Sequence, residues 1–587
     1  MSNAELVSPY LSLFRSRFSE SKTTLLNSPG LVPLQALDTE VKSLELALTE
    51  ARSLRNLATH THRLPPEVLV NIFEELQLLW KPSRESIRAS SGAWYPGRYK
   101  SGWMSVTHIC SYWREIALGA SVLWSNATID VLAVSPKLIP ELFQRTHGNG
   151  VHLELRPANH IFHIDALDRE PAIQAWFSPL VIHCYTKSLT IAGKEDVLSY
   201  AAARLLPCMP QLHTLDLFHT SFGFEPAAPE PFGMLSNVMD LTLQRCNLPL
   251  DSPVFSEHLK RFRKLSTGKR LQDPYVDWQP WLSGMTSLKY LYLENTVPCN
   301  IPEDGKGPTT TLPSSLRIFR FSVSSFDHVL DGLRFLSHVR SPANCSLDYN
   351  IHPSPDLLDD PQYASALGQV LFQLSSPRED ECKARHLVLG CKSVVIASDE
   401  PLPSCPHINS WTSTPSYTND VVVHRLVIQA DYYAPQSYDL SAALSFLAMD
   451  ELRAIILTPE SIHYITTNAH WHRLLHANVV HRVDMQAMHQ PLSTHFSDLR
   501  SALCQHYDTG TNGDILFPHL HILALHLLEH KDETQDFDFV TALLELVRAR
   551  KELGVPLKEI VVVGKCSLKD EVWDNVRAEV EVTVVGR

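Results

Sequence analysis

At 587 residues the chain holds about four times the material of a typical domain of roughly 150 residues, enough for several domains or one elongated repeat array. Its hydrophobic fraction of 44% and charged fraction of 20% lie near globular averages and exclude a disordered, collagen-like or membrane-embedded body. With 51 Lys and Arg against 64 Asp and Glu, the formal charge is −13, the wrong sign for neutralising phosphates, so nucleic acid is not an expected partner.

Residues 1–30 mix Ser, Pro and Gly without a clear period and read as a flexible leader. Residues 1–17 also lack the continuous apolar core of a secretory signal. Residues 31–60 then form an amphipathic helix, because Leu34, Leu37, Val41, Leu44, Leu48 and Ala51 step by 3, 4, 3, 4 and 3 with charged residues between them. The run covers only about two and a half heptads, which favours docking on the chain's own body over a free-standing coiled coil. Self-association through residues 34–51 stays open.

Residues 61–126 carry the strongest local signal. Leu64-Pro65-Pro66-Glu67-Val68-Leu69 places proline and an acidic residue where a helix N-terminus favours them, and Leu69, Ile72, Phe73 and Leu76 continue an apolar face. After a polar, aromatic stretch at 81–102, a second helical pattern runs through Trp103, Val106, Thr107, Cys110, Trp113, Arg114 and Ala117, and Leu123-Trp124 closes the segment. These three blocks, in this order, resemble the F-box, in the version carried by large families of fungal F-box proteins. The long insertion between the first two blocks departs from that pattern.

The resemblance implies a helical cluster that docks on the Skp-type adaptor of a cullin-RING ubiquitin ligase. The matching adaptor-binding candidates are Leu64, Pro65, Leu69, Ile72 and Phe73 from the first block and Cys110, Trp113, Arg114, Leu123 and Trp124 from the others. Some of them, Leu69 and Trp113 above all, equally suit the interior of the cluster, and both roles stay open at this point.

From residue 127 to 587 short β-like runs recur between Pro, Gly, Asn and Ser. They begin at Val151, Ser188, Leu212, Leu241, Leu288, Leu316, His386, Arg425, Leu452, Leu520, Ile560 and Val580. Strict Leu-x-x-Leu-x-Leu matches start at Leu212, Leu288 and Leu520, and the intervals 212 to 238, 238 to 288 (two periods of about 25) and 288 to 316 fit a period of 20 to 29 residues. The register becomes irregular between 316 and 520. Near the C-terminus, Val540, Leu543, Leu544 and Val547 share a helical face, Gly554 stops the helix, and a buried strand follows. The pattern is similar to a leucine-rich repeat. The expected fold class is therefore α/β, a short N-terminal helical F-box domain followed by an irregular leucine-rich-repeat-like solenoid.

Chemistry-bearing motifs are sparse. His470, His472 and His476 give H-x-H-x3-H, but Trp471, Leu474 and Leu475 mark an ordinary amphipathic segment, with no glutamate in an H-E-x-x-H frame. The stretch 508–513 has a calcium-loop look, yet glycine stands at its third position and His519 at its twelfth, where a bidentate glutamate is required. No P-loop, nucleophile-elbow or dinucleotide fingerprint occurs, so a non-catalytic protein with no cofactor and no metal is expected. Eleven scattered cysteines, with no run of 18 apolar residues, point to reduced thiols, no membrane span and a cytoplasmic and/or nuclear location. The expected function, following the resemblance, is a substrate-receptor subunit of an SCF-type ubiquitin ligase. Its F-box would hold the Skp-type adaptor, and through it a cullin, while its repeats hold an unknown protein client. The alternative is a non-catalytic repeat scaffold without ubiquitin transfer.

Overall fold

Apolar side chains at period two need a covered sheet face, and strands form at every β-like run named above. The computed structural model describes residues 12, 15–16, 18–19, 31–88, 94–156, 167, 169–177, 186–209, 211–221, 225–267, 273–302, 307–324, 328–358, 360–375, 384–390, 393–398, 423–428, 444–486, 492–507, 514–526, 533–563 and 570–585. The expected leader at 1–30 and the loop at 508–513 lie almost wholly outside the described residues. The chain is mixed α/β with a large, mostly parallel sheet, and it divides into two compact units, residues 1–186 and 187–587.

The first unit begins with the helix Leu31–Leu57. Its apolar residues do not dock on the chain's own body as the spacing predicts: Leu34, Val41, Leu44 and Leu48 are all exposed, as are Leu46, Leu54 and Leu57. A helical stripe shows which residues share a face, but not what covers that face.

The helix Pro66–Leu79 follows, with proline at its start, where the missing N–H costs nothing. Its C-terminal end leads into an antiparallel hairpin, β1 (Ser83–Arg88) and β2 (Trp94–Lys100). This hairpin is the long insertion of the sequence. It leaves and rejoins the cluster at one point, where the Trp103 N–H donates to the Trp80 carbonyl at 2.7 Å. Gly102 makes that closure possible. Its φ is +55°, and a Cβ there would lie 2.5 Å from the backbone of Lys81 and Pro82. The helices Ser111–Gly119 and Ser121–Ser125 complete the cluster. Trp103 and Trp124 pack at 4.9 Å between ring centroids, and the Trp124 indole donates to the Ala117 carbonyl at 2.7 Å.

Two short parallel strands follow, β3 (Thr128–Asp130) and β4 (Val151–Leu155), and the helix Pro171–Trp176 comes after them in this unit. The Asp130 carboxylate accepts the Leu132 N–H at 2.9 Å, yet burial pushes its pKa up from 3.8 to about 6. A carboxyl with a raised folded-state pKa supports folding fully below about pH 4, and that support is lost as the pH rises through about 6. Asp130→Asn keeps the acceptor and removes the charge. Thermal or urea unfolding should show the variant about 1–3 kcal/mol more stable than wild type at pH 8, with the difference vanishing near pH 4. An unchanged difference between the two pH values would contradict this.

In the second unit, β5 (Thr186–Gly193), β6 (Thr214–His219), β7 (Asp240–Gln244), β8 (Arg261–Leu265), β9 (Tyr290–Glu294), β11 (Ile318–Val323) and β13 (Ser346–Ile351) pair in parallel, each with the next named. A small parallel pair, β10 (Thr310–Thr311) and β12 (Val339–Arg340), stands beside this succession. Ser188, Thr214, Asp240, Arg261, Tyr290, Ile318 and Ser346 are lateral neighbours, so successive strands are displaced by 26, 26, 21, 29, 28 and 28 residues. The 50-residue interval between 238 and 288, two periods long, holds one intermediate strand, β8, that the strand pattern does not reveal. Its sequence, Arg-Phe-Arg-Lys-Leu, hides the pattern because a lysine occupies an inward position.

The irregular stretch has a topological cause. The strand β16 (Val423–Ile428) pairs in parallel with β13, and β14 (Ala384–Leu389) in parallel with β17 (Ala454–Leu457). Between β14 and β16 lies β15 (Ser393–Ser398), antiparallel to both. Beyond β17 the parallel order resumes through β18 (Arg482–Gln486), β21 (Ile522–His526), β22 (Glu559–Val563) and β23 (Glu581–Val585), with a short antiparallel pair, β19 (His506–Tyr507) and β20 (Asp514–Ile515), outside it. The helix Glu533–Glu552 buries Val540, Leu543 and Val547, and Gly554 follows at φ +77°, where an L side chain would be strained.

Candidate functional site

Parallel pairing sets equivalent residues of neighbouring strands side by side on one face. Two inward rows, Leu189-Leu215-Leu241-Phe262-Leu291-Phe319-Leu347 and Ile191-Leu217-Leu243-Lys264-Leu293-Phe321-Tyr349, are buried. The opposite face carries Thr190, Asp216, Thr242, Arg263, Tyr292, Arg320, Asp348 and Arg425 in one continuous lateral row. No local pattern in the sequence aligns these residues, since lateral neighbours lie 21 to 77 residues apart.

The row carries charges of both signs, and its side chains contact one another. Thr190 donates to Asp216 at 3.2 Å, and Asp348 lies between Arg320 at 3.3 Å and Arg425 at 3.9 Å. The Arg263 guanidinium sits 5.9 Å from the centre of the Tyr292 ring. The Tyr292 hydroxyl donates to Glu294 at 2.6 Å, and burial together with that carboxylate raises its pKa, so it stays a neutral donor at physiological pH. Farther along, the row turns apolar at Val395, Val388 and Ile456, all buried, and becomes charged again at Asp484. Burial alone would raise the Asp484 carboxyl, but hydrogen bonds from His526 and Arg482 hold it below its ordinary value. Arg and Tyr on a rigid, preorganised sheet suit protein recognition, in which a few such side chains dominate the energy.

The second candidate surface is in the first unit. Of the adaptor-binding candidates, Leu69, Phe73, Leu123 and Trp124 have at most 1% of their surface exposed and pack the interior of the cluster. A side chain without exposed area cannot add area to an interface while the cluster stays folded. Trp113 is half-buried against Phe73, with centroids 5.2 Å apart, and Cys110 caps its helix by accepting the Trp113 N–H at 3.4 Å. Leu64 is half-buried and its carbonyl accepts the Tyr112 hydroxyl at 2.9 Å, while Arg114 is exposed and donates to the Thr107 carbonyl at 2.7 Å. Pro65 and Ile72 are exposed.

No protein-family model and no curated protein sequence matches this chain. Its surfaces must therefore be read from their own chemistry. At 100° per residue, Val68, Ile72 and Leu79 fall within a narrow stripe of the helix Pro66–Leu79, centred about 100° around the helix from buried Leu69 and Phe73. Leu79 is 86% exposed, and Leu78, Trp80, Ile109 and Val122 are exposed as well. Of this stripe the resemblance singled out Ile72 but not Val68 or Leu79, because it carries over motif positions and says nothing of which face a neighbouring residue shares.

The histidines at 470–476 lie on a short 3-10 helix. His472 hydrogen-bonds the Ala469 carbonyl at 2.9 Å, and the His470 and His472 rings are 6.4 Å apart. Among the described residues one group of three potential metal ligands does converge, His463, His495 and Asp498.

Proposed function

We propose that the chain is a substrate-receptor subunit of a cullin-RING ubiquitin ligase, its first unit docking on a Skp-type adaptor and its second holding a protein client. The observation that carries the reading is the helix Pro66–Leu79, which buries one apolar face and leaves a second, formed by Val68, Ile72 and Leu79, exposed. Exposed apolar surface of this kind, rimmed by polar residues such as Glu75, is what a partner-binding helix requires. The F-box-like order of the three sequence blocks supports the choice of partner.

The client-holding half of the proposal is a leucine-rich-repeat-like array. It draws support from the strand spacing and from Val238-x-x-Leu241-x-Leu243-x-x-Cys246-x-Leu248. The five named residues are buried, and the Cys246 thiol donates to the Leu217 carbonyl of the preceding strand at 3.7 Å. The row from Asp216 to Arg425 would be the client-facing surface. In this reading the chain supplies proximity and no catalytic group, raising the local concentration of a client lysine near an E2 enzyme carried elsewhere in the complex.

Calorimetry or surface binding between the full-length chain and a purified Skp-type adaptor tests the first half. Ile72→Asp with Leu79→Asp should weaken binding at least about 100-fold, whereas Phe372→Asp, an exposed apolar position of the second unit, should leave it unchanged. Equal affinity for a folded double variant would remove the assignment of this face. A wild-type chain that ignores the adaptor would leave the scaffold alternative standing.

A further inference from the structure

The strands β17 and β18 are parallel neighbours, and each runs into a helix, Pro459–Thr467 and Leu492–Cys504. The first helix has a rigid start, with the Thr458 side chain accepting the Ser461 N–H and the Ser461 side chain accepting the Thr458 N–H. Ile462 and Ile465 anchor it, and Phe496 and Leu499 anchor the second, so both helices are held by buried residues next to the positions of interest. His463 comes from the first helix. His495 and Asp498, three residues apart, share a face of the second.

The donor atoms of these three side chains all lie within 4.8 Å of one another. The two imidazole rings stand edge to face, 5.9 Å between centroids with 77° between planes. His463 is exposed and the other two are half-buried, so solvent reaches the cluster. Metal–ligand bonds of about 2.0–2.1 Å place tetrahedral donors roughly 3.3 Å apart. A closing movement of about 1.5 Å reaches that geometry, within the range of the broad histidine χ2 rotation.

We propose that His463, His495 and Asp498 form a binding site for a borderline divalent transition-metal ion of the zinc class, joining the two helices. Two imidazoles and a carboxylate are the donor set such ions favour over calcium or magnesium. Three protein ligands leave the fourth position for water. Because an imidazole binds a metal ion only in its unprotonated form, binding competes with protons and affinity falls in acid.

Zinc titration of the chelator-treated full-length chain by calorimetry at pH 7.5, with Co²⁺ absorption as a second readout of coordination, decides the matter. We expect one zinc equivalent with micromolar or tighter affinity and a Co²⁺ visible spectrum of low coordination number. His463→Gln and His495→Ala should each weaken that equivalent at least about 100-fold and abolish the spectrum, and Asp498→Asn should weaken it about 10-fold or more. His472→Ala with His476→Ala should change neither. His463 is exposed, so its replacement leaves the core untouched and keeps the test valid if the His495 variant fails to fold. The proposal is overturned if the wild type takes up no zinc at about 100 µM, well above the affinity expected of such a donor set, or if folded His463→Gln binds as tightly as wild type.

Discussion

Replacing Arg550 by Met should lower the unfolding free energy of the chain by about 4 kcal/mol. Arg550 has no exposed surface, and its guanidinium donates to four backbone carbonyls. Nη1 reaches Leu503 and Leu516 at 3.1 Å each, Nη2 reaches Phe517 at 2.8 Å, and Nε reaches Val555 at 3.2 Å. The planar five-donor fork ties the helix Glu533–Glu552 to the end of the helix Leu492–Cys504 and to the turn at Phe517, where φ is +49°. Burial pushes the guanidinium down to about 10, so it remains cationic at neutral pH. Methionine fills a similar volume but leaves those carbonyls without their donor in a place closed to water. Urea unfolding of the full-length chain measures the loss, and Arg550→Lys should fall between the two because an ammonium cannot span the same acceptors. Arg548, exposed and paired with Glu579 at 3.2 Å, provides the contrast: Arg548→Met should cost no more than about 1 kcal/mol. Equal effects at 548 and 550 would refute this account.

Lys264 presents the second large effect. It occupies an inward position between Leu243 and Leu293, where every other residue of the row is apolar. Its side chain is 6% exposed, and the Glu225 side chain, 3.8 Å away, is 4% exposed. The ammonium donates to the Cys246 carbonyl at 2.5 Å and to the Asn247 side chain, while Glu225 also accepts from the Thr267 hydroxyl at 2.8 Å. Burial lowers the Lys264 pKa, opposed by Glu225 among its neighbours. Lys264→Met restores the apolar row but strands the Glu225 charge, which should cost about 3–5 kcal/mol. Adding Glu225→Gln removes that charge and keeps an acceptor for Thr267, so the double variant should recover at least about half of the loss. Strictly additive losses in the double-mutant cycle would mean that the pair does not act as a unit.

Both positions show where sequence patterns stop being informative. Leu288-x-x-Leu291-x-Leu293 announces its strand, while Arg261-Phe262-Arg263-Lys264-Leu265 conceals one of the same register, because its inward lysine is satisfied by groups that the sequence does not place beside it. Likewise, Leu64 through Leu79 declares a helix with an apolar face. Burial separates the two sides of that helix, with Leu69 and Phe73 inside and Ile72 and Leu79 outside, a division that depends on Trp103, Trp113 and Trp124 packing from farther along the chain.

Period-two alternation, proline near helix starts and glycine after helix ends are relations among near neighbours in the chain, and through them the sequence alone determined the mixed α/β class and the strands that show the alternation plainly, but not β8, β13 or β18. The lateral row from Thr190 to Arg425, the antiparallel insertion of β15, the exposed stripe of the helix Pro66–Leu79 and the meeting of His463 with His495 and Asp498 were decided only by the tertiary structure. Each depends on register or packing between segments separated by tens of residues, where local propensity is silent and the burial of shared surface selects the arrangement.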